Sequence, residues 1–587
     1  MQDRASRSGD LTGQPRHRNL GVMPPRPLPP RTAHRFDVVA RVVESRPFDA
    51  VLAGASRALR SRTEHRSPFP APPPFAAKRP ASTDVAAADP DALALLRLLQ
   101  ARPDVDPNVD HDQAPPSIAA YARVYRDRAA SPLEVAAAVL AAIDASEAGP
   151  RPMRFFISVD DDDVMAQAAA SAQRHAQGRP LSVLDGVPVA VKDEIDQAGH
   201  ATTLGTGMSS LNKARADCVA VARLRALGAV LVGKTNMHEL GAGPTGLNHV
   251  HGTCRNPWDP LRFPGGSSSG SAAVVAAGLL PLAVGCDGGG SIRIPASLCG
   301  VVGLKPTFGR VPQRGETPPL AFSVTHIGPI GRTVADVAVG YAALAGADSV
   351  EGASHGLPPV SLEGFDATDL RGVTLGVVEE WWRDADVDVA RACERNIGAL
   401  VARGARVRDV RLNTIRDVML GLVASIGVEV KHNAWMNDLT ERRALAVDTR
   451  VGLAVARHLG RSLYERGQRS RARVAAAVAA VLSEVDLLVS PTTGLTAPLI
   501  PLTPGLGDIR QTIALMWSTA LANVTGQPAI SYPVGFDRRG MPVGMQLVAR
   551  PFDEALLLRV ARIGEEAVSS SSSSRAPRTW STLPSPR

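Results

Sequence analysis

The stretch GGSSSGSAAVVAAGLLPLAVGCDGGGSIRIP, from Gly265 to Pro295, contains two clusters of glycine and serine separated by small and apolar residues. Within the separating part, SAAVVAAGLL is typical of a helix and LAVG is typical of a buried strand. Glycine-rich turns often serve only the close packing of neighbouring chain segments. Here each turn also carries serine, and the helix and strand between the turns predict a fixed separation of the two serine clusters.

The sequence around this stretch alternates between strand-like and helix-like segments. SVLDGVPVAVKD predicts a strand ending at Lys192, CVAVARLRALG predicts a helix that Gly228 stops, and AVLVG predicts a buried strand. Such alternation indicates an α/β fold with a largely parallel sheet covered by helices on both faces. In these sheets functional groups gather beyond the carboxyl ends of the strands, where Lys192 and the turn Gly288–Ser291 are expected.

The composition of the 587-residue chain is that of an ordinary globular protein, with 44% hydrophobic and 21% charged residues. No run reaches the roughly 18 apolar residues that a membrane-spanning helix needs. The five cysteines are scattered without a CxxC pair, which argues against a disulfide scaffold or a structural zinc site. This cysteine usage favours a reducing, intracellular compartment, and the sequence leaves open whether it is cytoplasmic or membrane-associated.

The net charge of +8 comes from the N-terminal region. Residues 1–83 contain 15 Lys+Arg and 6 Asp+Glu, a net +9, so the rest of the chain is near −1 and no nucleic-acid partner is expected. The sequence predicts a Pro/Arg-rich, partly disordered extension with short amphipathic helices over 1–114, an organised domain over 115–567 and a disordered Ser/Pro-rich tail over 568–587. Organelle targeting and contact with a membrane surface are alternatives for the extension.

Lysine is rare in this chain, with six lysines against 59 arginines. Arginine is never deprotonated in proteins, whereas a buried lysine can become a neutral base. Lys192 and Lys234 each follow an apolar strand and are the best candidates for that role, with a structural salt bridge as the alternative for either. A lysine base and serines in glycine-rich turns together indicate nucleophilic catalysis with an oxyanion hole.

Three motif matches lack the context that their functions need. The GxxxxGK[ST] match at Gly228–Thr235 has a predicted strand where a phosphate-binding loop belongs. The GxSxG match at Gly266–Gly270 would have to follow a strand to make its central serine, Ser268, a nucleophile, but three prolines precede it. The third match is a possible metal site formed by His249, His251 and Cys254. Loop histidines are more often structural, so no metal site is expected.

At these residues the sequence resembles the amidase signature family. The stretch Gly265–Ala296 follows the pattern that defines the family, with GGSSSGSAA, DGGGSIR and PA, and the lysine block DGVPVAVKD lies upstream. The spacings of 75 residues from Lys192 to Ser267 and 24 residues from Ser267 to Ser291 also match the family. The resemblance covers roughly residues 115–567, and within the family the motifs are most similar to the plant-type fatty acid amide hydrolases.

The resemblance implies an amidase-signature α/β/α sandwich whose large mixed, mostly parallel central sheet is covered by helices on both faces. It implies a Ser-Ser-Lys triad in which Ser291 is acylated, Ser267 relays protons, and neutral Lys192 acts as the base and then as the acid. The implied oxyanion hole consists of the backbone N–H groups of Gly288, Gly289, Gly290 and Ser291. The supporting residues of the motif are Ser268, Asp287 and Arg293. The reaction needs no cofactor and no metal.

The function that the resemblance implies is hydrolysis of carboxylic amide bonds, with fatty acid amides or N-acylethanolamines as substrates and hence a role in lipid metabolism. The alternatives are the glutamine-hydrolysing component of a tRNA-dependent amidotransferase and a general amidase of small or aryl amides. An intact set of Lys192, Ser267 and Ser291 argues against a binding protein with an inactive site. The expected partner is a small-molecule amide with a long acyl chain. Peripheral membrane contact without a transmembrane span and a homodimer stay open.

Overall fold

The structure is a computed structural model that describes residues 17–19, 116–208, 213–433, 443–501, 509–568, 577–580 and 582–583. The expected extension over 1–114 therefore lies outside the described residues, apart from residues 17–19. Its predicted disorder and amphipathic helices stay predictions, as do the domain boundaries at 114/115 and 567/568.

Twelve strands in the described ranges form one mixed sheet. The strands are β1 His17–Asn19, β2 Phe156–Asp160, β3 Pro188–Lys192, β4 Val230–Thr235, β5 Leu282–Asp287, β6 Val302–Lys305, β7 His326–Gly331, β8 Thr374–Val378, β9 Arg406–Val410, β10 Leu487–Pro491, β11 Ala529–Phe536 and β12 Pro542–Ala549.

Fifteen α-helices in the same ranges surround the sheet. The helices are α1 Ile118–Arg126, α2 Pro132–Glu147, α3 Asp161–Ala176, α4 Val219–Ala226, α5 Ser269–Ala276, α6 Arg293–Cys299, α7 Val334–Leu344, α8 Glu379–Trp382, α9 Val387–Ala402, α10 Ile415–Glu429, α11 Val447–Arg457, α12 Arg461–Leu482, α13 Ile509–Met516, α14 Ala520–Thr525 and α15 Glu554–Glu566. None of these helices is both long and apolar enough to cross a membrane.

The order of the strands across the sheet is β1-β2-β4-β3-β5-β7-β6-β11-β12-β10-β8-β9. Pairing is parallel within two groups, β4-β3-β5 and β10-β8-β9, and antiparallel at the other neighbouring pairs. The predicted α/β/α fold with a large mixed sheet is confirmed. Parallel pairing, which was expected to predominate, is confined to these two groups. Short connections, such as the five residues between β11 and β12, impose antiparallel pairing.

Helices cover both faces of the central strands. Every residue of β3, β4, β5, β6, β7, β10 and β12 is buried, which an exposed sheet face would not allow. On β5, Leu282 faces α7, where it lies near Gly340, whereas Gly285 faces the opposite side and lies near Ile292. The apolar core therefore fills the space on either side of the sheet.

The helix and strand predicted between the two serine turns are α5 and β5. Every residue of α5 is buried, and its small side chains let it approach neighbouring backbone closely. A Cβ added at Gly270 would lie 2.2 Å from the Phe155 carbonyl oxygen, so a larger residue would push the helix away. The serine turn before α5 and the turn after β5 are therefore fixed to a tightly packed unit.

Part of the terminal segment expected to be disordered packs against the body instead. The Trp580 ring meets Phe155 edge-on with ring centroids 6.0 Å apart, and the Trp580 backbone N–H donates to the Ala277 carbonyl oxygen. The Thr582 and Tyr121 hydroxyl oxygens are 2.6 Å apart. The serine- and proline-rich composition predicted disorder, but one large aromatic side chain supplies enough apolar area for local docking.

Candidate active site

The carboxyl end of β3 brings Lys192 to the first serine turn. Lys192 Nζ donates a hydrogen bond to Ser267 Oγ at 2.7 Å and another to the Cys286 carbonyl oxygen at 3.2 Å. The Lys192 side chain is fully buried, and Ser267 is only 2% exposed. Two of the three predicted triad residues therefore form a direct hydrogen bond at a position shielded from water.

Ser268 connects the first turn to the second. Its N–H donates to the Ser291 carbonyl oxygen at 3.1 Å, and its hydroxyl bonds to both the N–H and the carbonyl oxygen of Cys286 at 3.3 Å. Ser291 is half-buried, and within the described ranges its hydroxyl forms no hydrogen bond with Ser267. Catalytic hydrogen bonds are often long or unformed before substrate binds. The Ser268 hydroxyl is thus engaged with the backbone of Cys286.

The second turn follows β5 and presents backbone N–H groups near Ser291. Gly290 has φ +129°, and a Cβ there would lie 2.4 Å from a neighbouring side-chain oxygen, so the position requires glycine. The Gly290 N–H donates to Asp287 Oδ1 at 2.6 Å. Gly290 is therefore engaged with Asp287 in this structure, and the remaining donors of the expected oxyanion hole are the N–H groups of Gly288, Gly289 and Ser291.

Asp287 and Arg293 form a fully buried ion pair beneath this turn. Arg293 Nε donates to Asp287 Oδ2 at 3.0 Å, and Nη2 donates to Oδ1 at 3.1 Å. The other guanidinium protons go to the Thr519 carbonyl oxygen at 2.8 Å, Gln546 Oε1 at 2.6 Å and Asn523 Oδ1 at 2.7 Å. All five donors of Arg293 are therefore used, which a fully buried guanidinium requires.

The same network keeps Asp287 ionised and holds the turn in place. Burial alone would raise the pKa of Asp287, but the charge of Arg293 and hydrogen bonds from Arg293 and Asn523 hold that pKa well below its usual range. Asn523 Nδ2 donates to the Asp287 carbonyl oxygen at 2.8 Å, and the Thr519 hydroxyl donates to the Gly289 carbonyl oxygen at 2.8 Å. Residues around the start of α14 thus fix the backbone that carries the N–H groups expected to form the oxyanion hole.

Four residues of the site were missed by the sequence analysis: Glu194, Thr519, Asn523 and Gln546. Gln546 is the one polar residue in the fully buried strand PVGMQLVA, and that pattern could have revealed it. Thr519 and Asn523 have no comparable signal, since their role depends on how α14 meets the second turn. Glu194 Oε2 lies 2.5 Å from Lys192 Nζ, but the sequence does not tell which acidic residue after Lys192 makes this contact.

The second candidate lysine, Lys234, has a structural position. It lies within β4, and its Nζ donates to the Asp193 carbonyl oxygen and to Thr202 Oγ1, both at 3.3 Å. Burial lowers the pKa of Lys234, yet these contacts tie it to the loop after β3. Most of the GxxxxGK[ST] match, from Val230 to Thr235, forms strand β4, so it makes no phosphate-binding loop.

Two of the three residues considered for a metal, His251 and Cys254, form hydrogen bonds with the protein backbone. His251 Nε2 lies 3.1 Å from the Thr206 carbonyl oxygen, and Cys254 Sγ donates to the Arg255 carbonyl oxygen. In the part of the chain that the structure describes, no three His, Cys, Asp or Glu side chains converge as metal ligands would.

Comparison with known proteins identifies the family. The sequence model of the Amidase family matches residues 137–558, and the chain belongs to this family. It is 40% identical over 460 residues to a fatty acid amide hydrolase of Medicago truncatula, covering 76% of this chain and 75% of that protein. It is 36% identical over 454 residues to a component of the glutamyl-tRNA(Gln) amidotransferase of Chloroflexus aurantiacus, covering 73% of this chain and 91% of that protein.

The solved structure of native peptide amidase from Stenotrophomonas maltophilia is also similar, with a TM-score of 0.67 and 28% identity over 81% of this chain and 99% of that chain. The predicted membership of the amidase signature family and the similarity to plant-type fatty acid amide hydrolases are confirmed. The protein is an amide-cleaving hydrolase.

The Asp287→Asn variant tests the buried ion pair. It keeps the shape of the side chain but leaves Arg293 buried without a counter-charge, which should lower the free energy of unfolding by about 3–5 kcal/mol at neutral pH. The pKa of Asp287 is lower in the folded than in the unfolded state. Its contribution to the free energy of unfolding is therefore fully present above the unfolded pKa and is lost as the pH falls below that value. The difference in free energy of unfolding between wild type and variant, measured by urea denaturation, should therefore become smaller below about pH 4.

Asp417→Asn serves as the control, because Asp417 pairs with a half-exposed Arg473 at the surface. This change should cost less than about 1 kcal/mol. If both variants lose equally little stability, the Asp287–Arg293 pair does not hold the site together as described.

Proposed function

We propose that this amidase hydrolyses amides of long-chain fatty acids, such as N-acylethanolamines, through an acyl-enzyme at Ser291. The observation that carries the proposed mechanism is the 2.7 Å hydrogen bond from Lys192 Nζ to Ser267 Oγ. The next residue, Ser268, donates its backbone N–H to the Ser291 carbonyl oxygen. The similarity to the fatty acid amide hydrolase of Medicago truncatula supports the proposed substrate class.

In the proposed acylation step, Ser291 Oγ bonds to the carbonyl carbon while its proton moves to Ser267, and the Ser267 proton moves to Lys192. Lys192 has to be neutral at this point, because an ammonium group has no lone pair to accept a proton. The N–H groups of Gly288, Gly289 and Ser291 stabilise the negative charge on the carbonyl oxygen.

Breakdown of the tetrahedral intermediate uses the same route in reverse. The proton on Lys192 returns through Ser267 to the nitrogen of the leaving amine as the C–N bond breaks. Water then attacks the ester on Ser291, with Ser267 and Lys192 accepting and returning one proton. The reaction consumes one water molecule and needs no cofactor.

Apolar side chains over the second turn support a fatty acyl substrate. A Cβ added at Gly289 would lie 3.1 Å from Met516 Cε and 3.5 Å from Leu422 Cδ2. Leu422 belongs to a buried apolar cluster against which Met516 and Trp517 pack, and Trp517 lines a neighbouring cleft with Val418. An acyl chain gains about 0.8 kcal/mol for each CH₂ buried on such a surface. The α-ammonium and α-carboxylate groups of glutamine would lose hydration on this apolar surface, which disfavours glutamine as the substrate.

Two further expectations about partners stay predictions. Val423 and Ile426 of α10 are exposed, at 50% and 36%, and such residues support peripheral contact with a membrane. A homodimer has no further support among the described residues.

The Ser291→Ala variant tests the proposed nucleophile. Removing the attacking hydroxyl should lower kcat for amide hydrolysis about 10⁴-fold or more. An alkyl fluorophosphonate should label wild-type protein on the peptide that contains Ser291, as measured by mass spectrometry, and should not label the variant. Ser269→Ala is the control and should keep the label, since the Ser269 hydroxyl donates to the Asn236 carbonyl oxygen. Labelling at Ser268 would contradict the assignment.

The Leu422→Asn variant tests the proposed acyl site. We expect kcat/KM of wild-type protein to rise along a series of acyl p-nitroanilides of increasing chain length, by up to about fourfold per CH₂. Leu422→Asn should weaken this rise and leave short-chain substrates little changed. Val423→Asn is the matched control, because Val423 is the next residue of α10 and faces solvent. A wild-type preference for short or aryl amides would favour a general amidase, and strict preference for glutamine would favour an amidotransferase component.

A further inference from the structure

The buried lysine of the site has a carboxylate partner that neither the family pattern nor the proposed mechanism uses. Glu194 Oε2 lies 2.5 Å from Lys192 Nζ, and the Glu194 side chain is 10% exposed. The same Nζ donates to Ser267 Oγ and to the Cys286 carbonyl oxygen. An ammonium group carries three protons, so these three partners account for all of them.

This contact opposes the function of a base unless the carboxylate takes a proton. A carboxylate at this distance favours the ammonium form of its partner, and an ammonium group cannot accept the Ser267 proton. In a buried site, however, an ion pair has lost much of its hydration, which brings the neutral amine–carboxylic acid pair closer to it in free energy. At 2.5 Å the donor and acceptor are already close enough for a proton to pass between them.

We propose that Glu194 is a positioning residue that holds Lys192 on Ser267 and takes up one Lys192 proton, which leaves the neutral amine that the reaction needs. This proposal rests on the proposed function. One Nζ–H bond breaks and one Oε2–H bond forms, so ammonium and carboxylate become amine and carboxylic acid. Rotation about the Cε–Nζ bond turns the amine lone pair to Ser267. After the leaving amine has received its proton through Ser267, the Glu194 proton returns to Lys192.

Two titratable groups near the pair, Cys286 and His238, are neutral in the relevant pH range, whereas burial raises the pKa of Glu239 in the adjacent turn to about 7, and Glu239 accepts the Ala446 N–H instead of facing Lys192. Burial raises the pKa of the Cys286 thiol on β5 well above its usual value. Burial also lowers the pKa of His238, which precedes the short turn Glu239–Gly241, to about 4. Between about pH 6 and pH 9, neither Cys286 nor His238 carries a charge that could replace the Lys192–Glu194 exchange.

The other charged groups around the pair have partners of their own. Asp193 pairs with Lys234 at 3.8 Å, and Asp287 pairs with Arg293 at 3.0 Å. Asp196 accepts hydrogen bonds from the hydroxyls of two threonines. These carboxylates are therefore held by other contacts, whereas Glu194 faces the catalytic amine directly.

Glu194 also borders a cavity, together with Asp196 and Gln313. Water entering this cavity can exchange the proton held on Glu194 with solvent. The cavity therefore gives the pair a route to equilibrate its shared proton with solvent between cycles, although Lys192 itself is fully buried.

The test is the pH dependence of the Glu194→Gln variant. kcat/KM for a medium-chain acyl p-nitroanilide, and the rate of fluorophosphonate labelling at Ser291, are measured from about pH 6 to about pH 9. Wild-type rates should vary by less than about tenfold, because internal transfer supplies the amine wherever the pair holds one proton. Without an acceptor, Glu194→Gln rates should rise about tenfold per pH unit over the lower part of this range.

Asp196→Asn is the matched control, since it removes a carboxylate from the same cavity without touching Lys192, and its profile should keep the wild-type shape. If Glu194→Gln fails to fold, Glu194→Asp decides the question. It keeps a carboxylate and should keep the flat profile at a lower rate, so a tenfold rise per pH unit in this variant would overturn the proposal.

Two outcomes with folded Glu194→Gln contradict the proposal. A profile of wild-type shape means that Glu194 moves no proton, and a higher rate than wild type at about pH 6 means that Glu194 only holds the ammonium form in place. Absence of fluorophosphonate labelling at Ser291 in wild-type protein would instead contradict the proposed function.

Discussion

The site depends on the fully buried pair of Asp287 and Arg293. Asp287 lies at the end of β5 and accepts the N–H of Gly290, so the ion pair determines where the second turn begins and which N–H groups it leaves available. Arg293 continues the contact to Gln546 on β12 and to Asn523 on α14. The Arg293 charge needs partners because an unpaired buried charge is costly, and these partners link β12 and α14 to the second turn.

The two serine turns then need only the spacing that α5 and β5 provide. Strand β3 runs parallel to β5, and its last residue, Lys192, points to Ser267 at the neighbouring strand end. The Cys286 carbonyl oxygen accepts hydrogen bonds from both Lys192 Nζ and Ser268 Oγ, so the proposed base and the first turn are held by the same residue of β5. The contact that favours the ammonium form of Lys192, and so opposes its proposed role as a base, is the one with the Glu194 carboxylate.

Local patterns were enough to predict the elements around the site, because a helix of small residues and a strand of apolar residues each have a distinct periodicity. They also predicted Lys192 at a strand end. They could not predict the antiparallel pairing of β5 with β7, or that Gly290 gives its N–H to Asp287, because these depend on contacts between distant segments. Trp580 shows the same limit: composition suggested disorder, and only packing against Phe155 reveals its place.

Trapping the acyl-enzyme decides whether Ser291 carries the acyl group, as proposed. A p-nitrophenyl ester of a long-chain fatty acid acylates quickly because its leaving group is good, and acid quenching then preserves the ester for mass spectrometry of peptide fragments. We expect the mass of the acyl group to be added to the peptide containing Ser291, at that residue. Acylation at Ser267, Ser268 or Cys286, or ester turnover without any burst of nitrophenolate or acylated peptide, would contradict it.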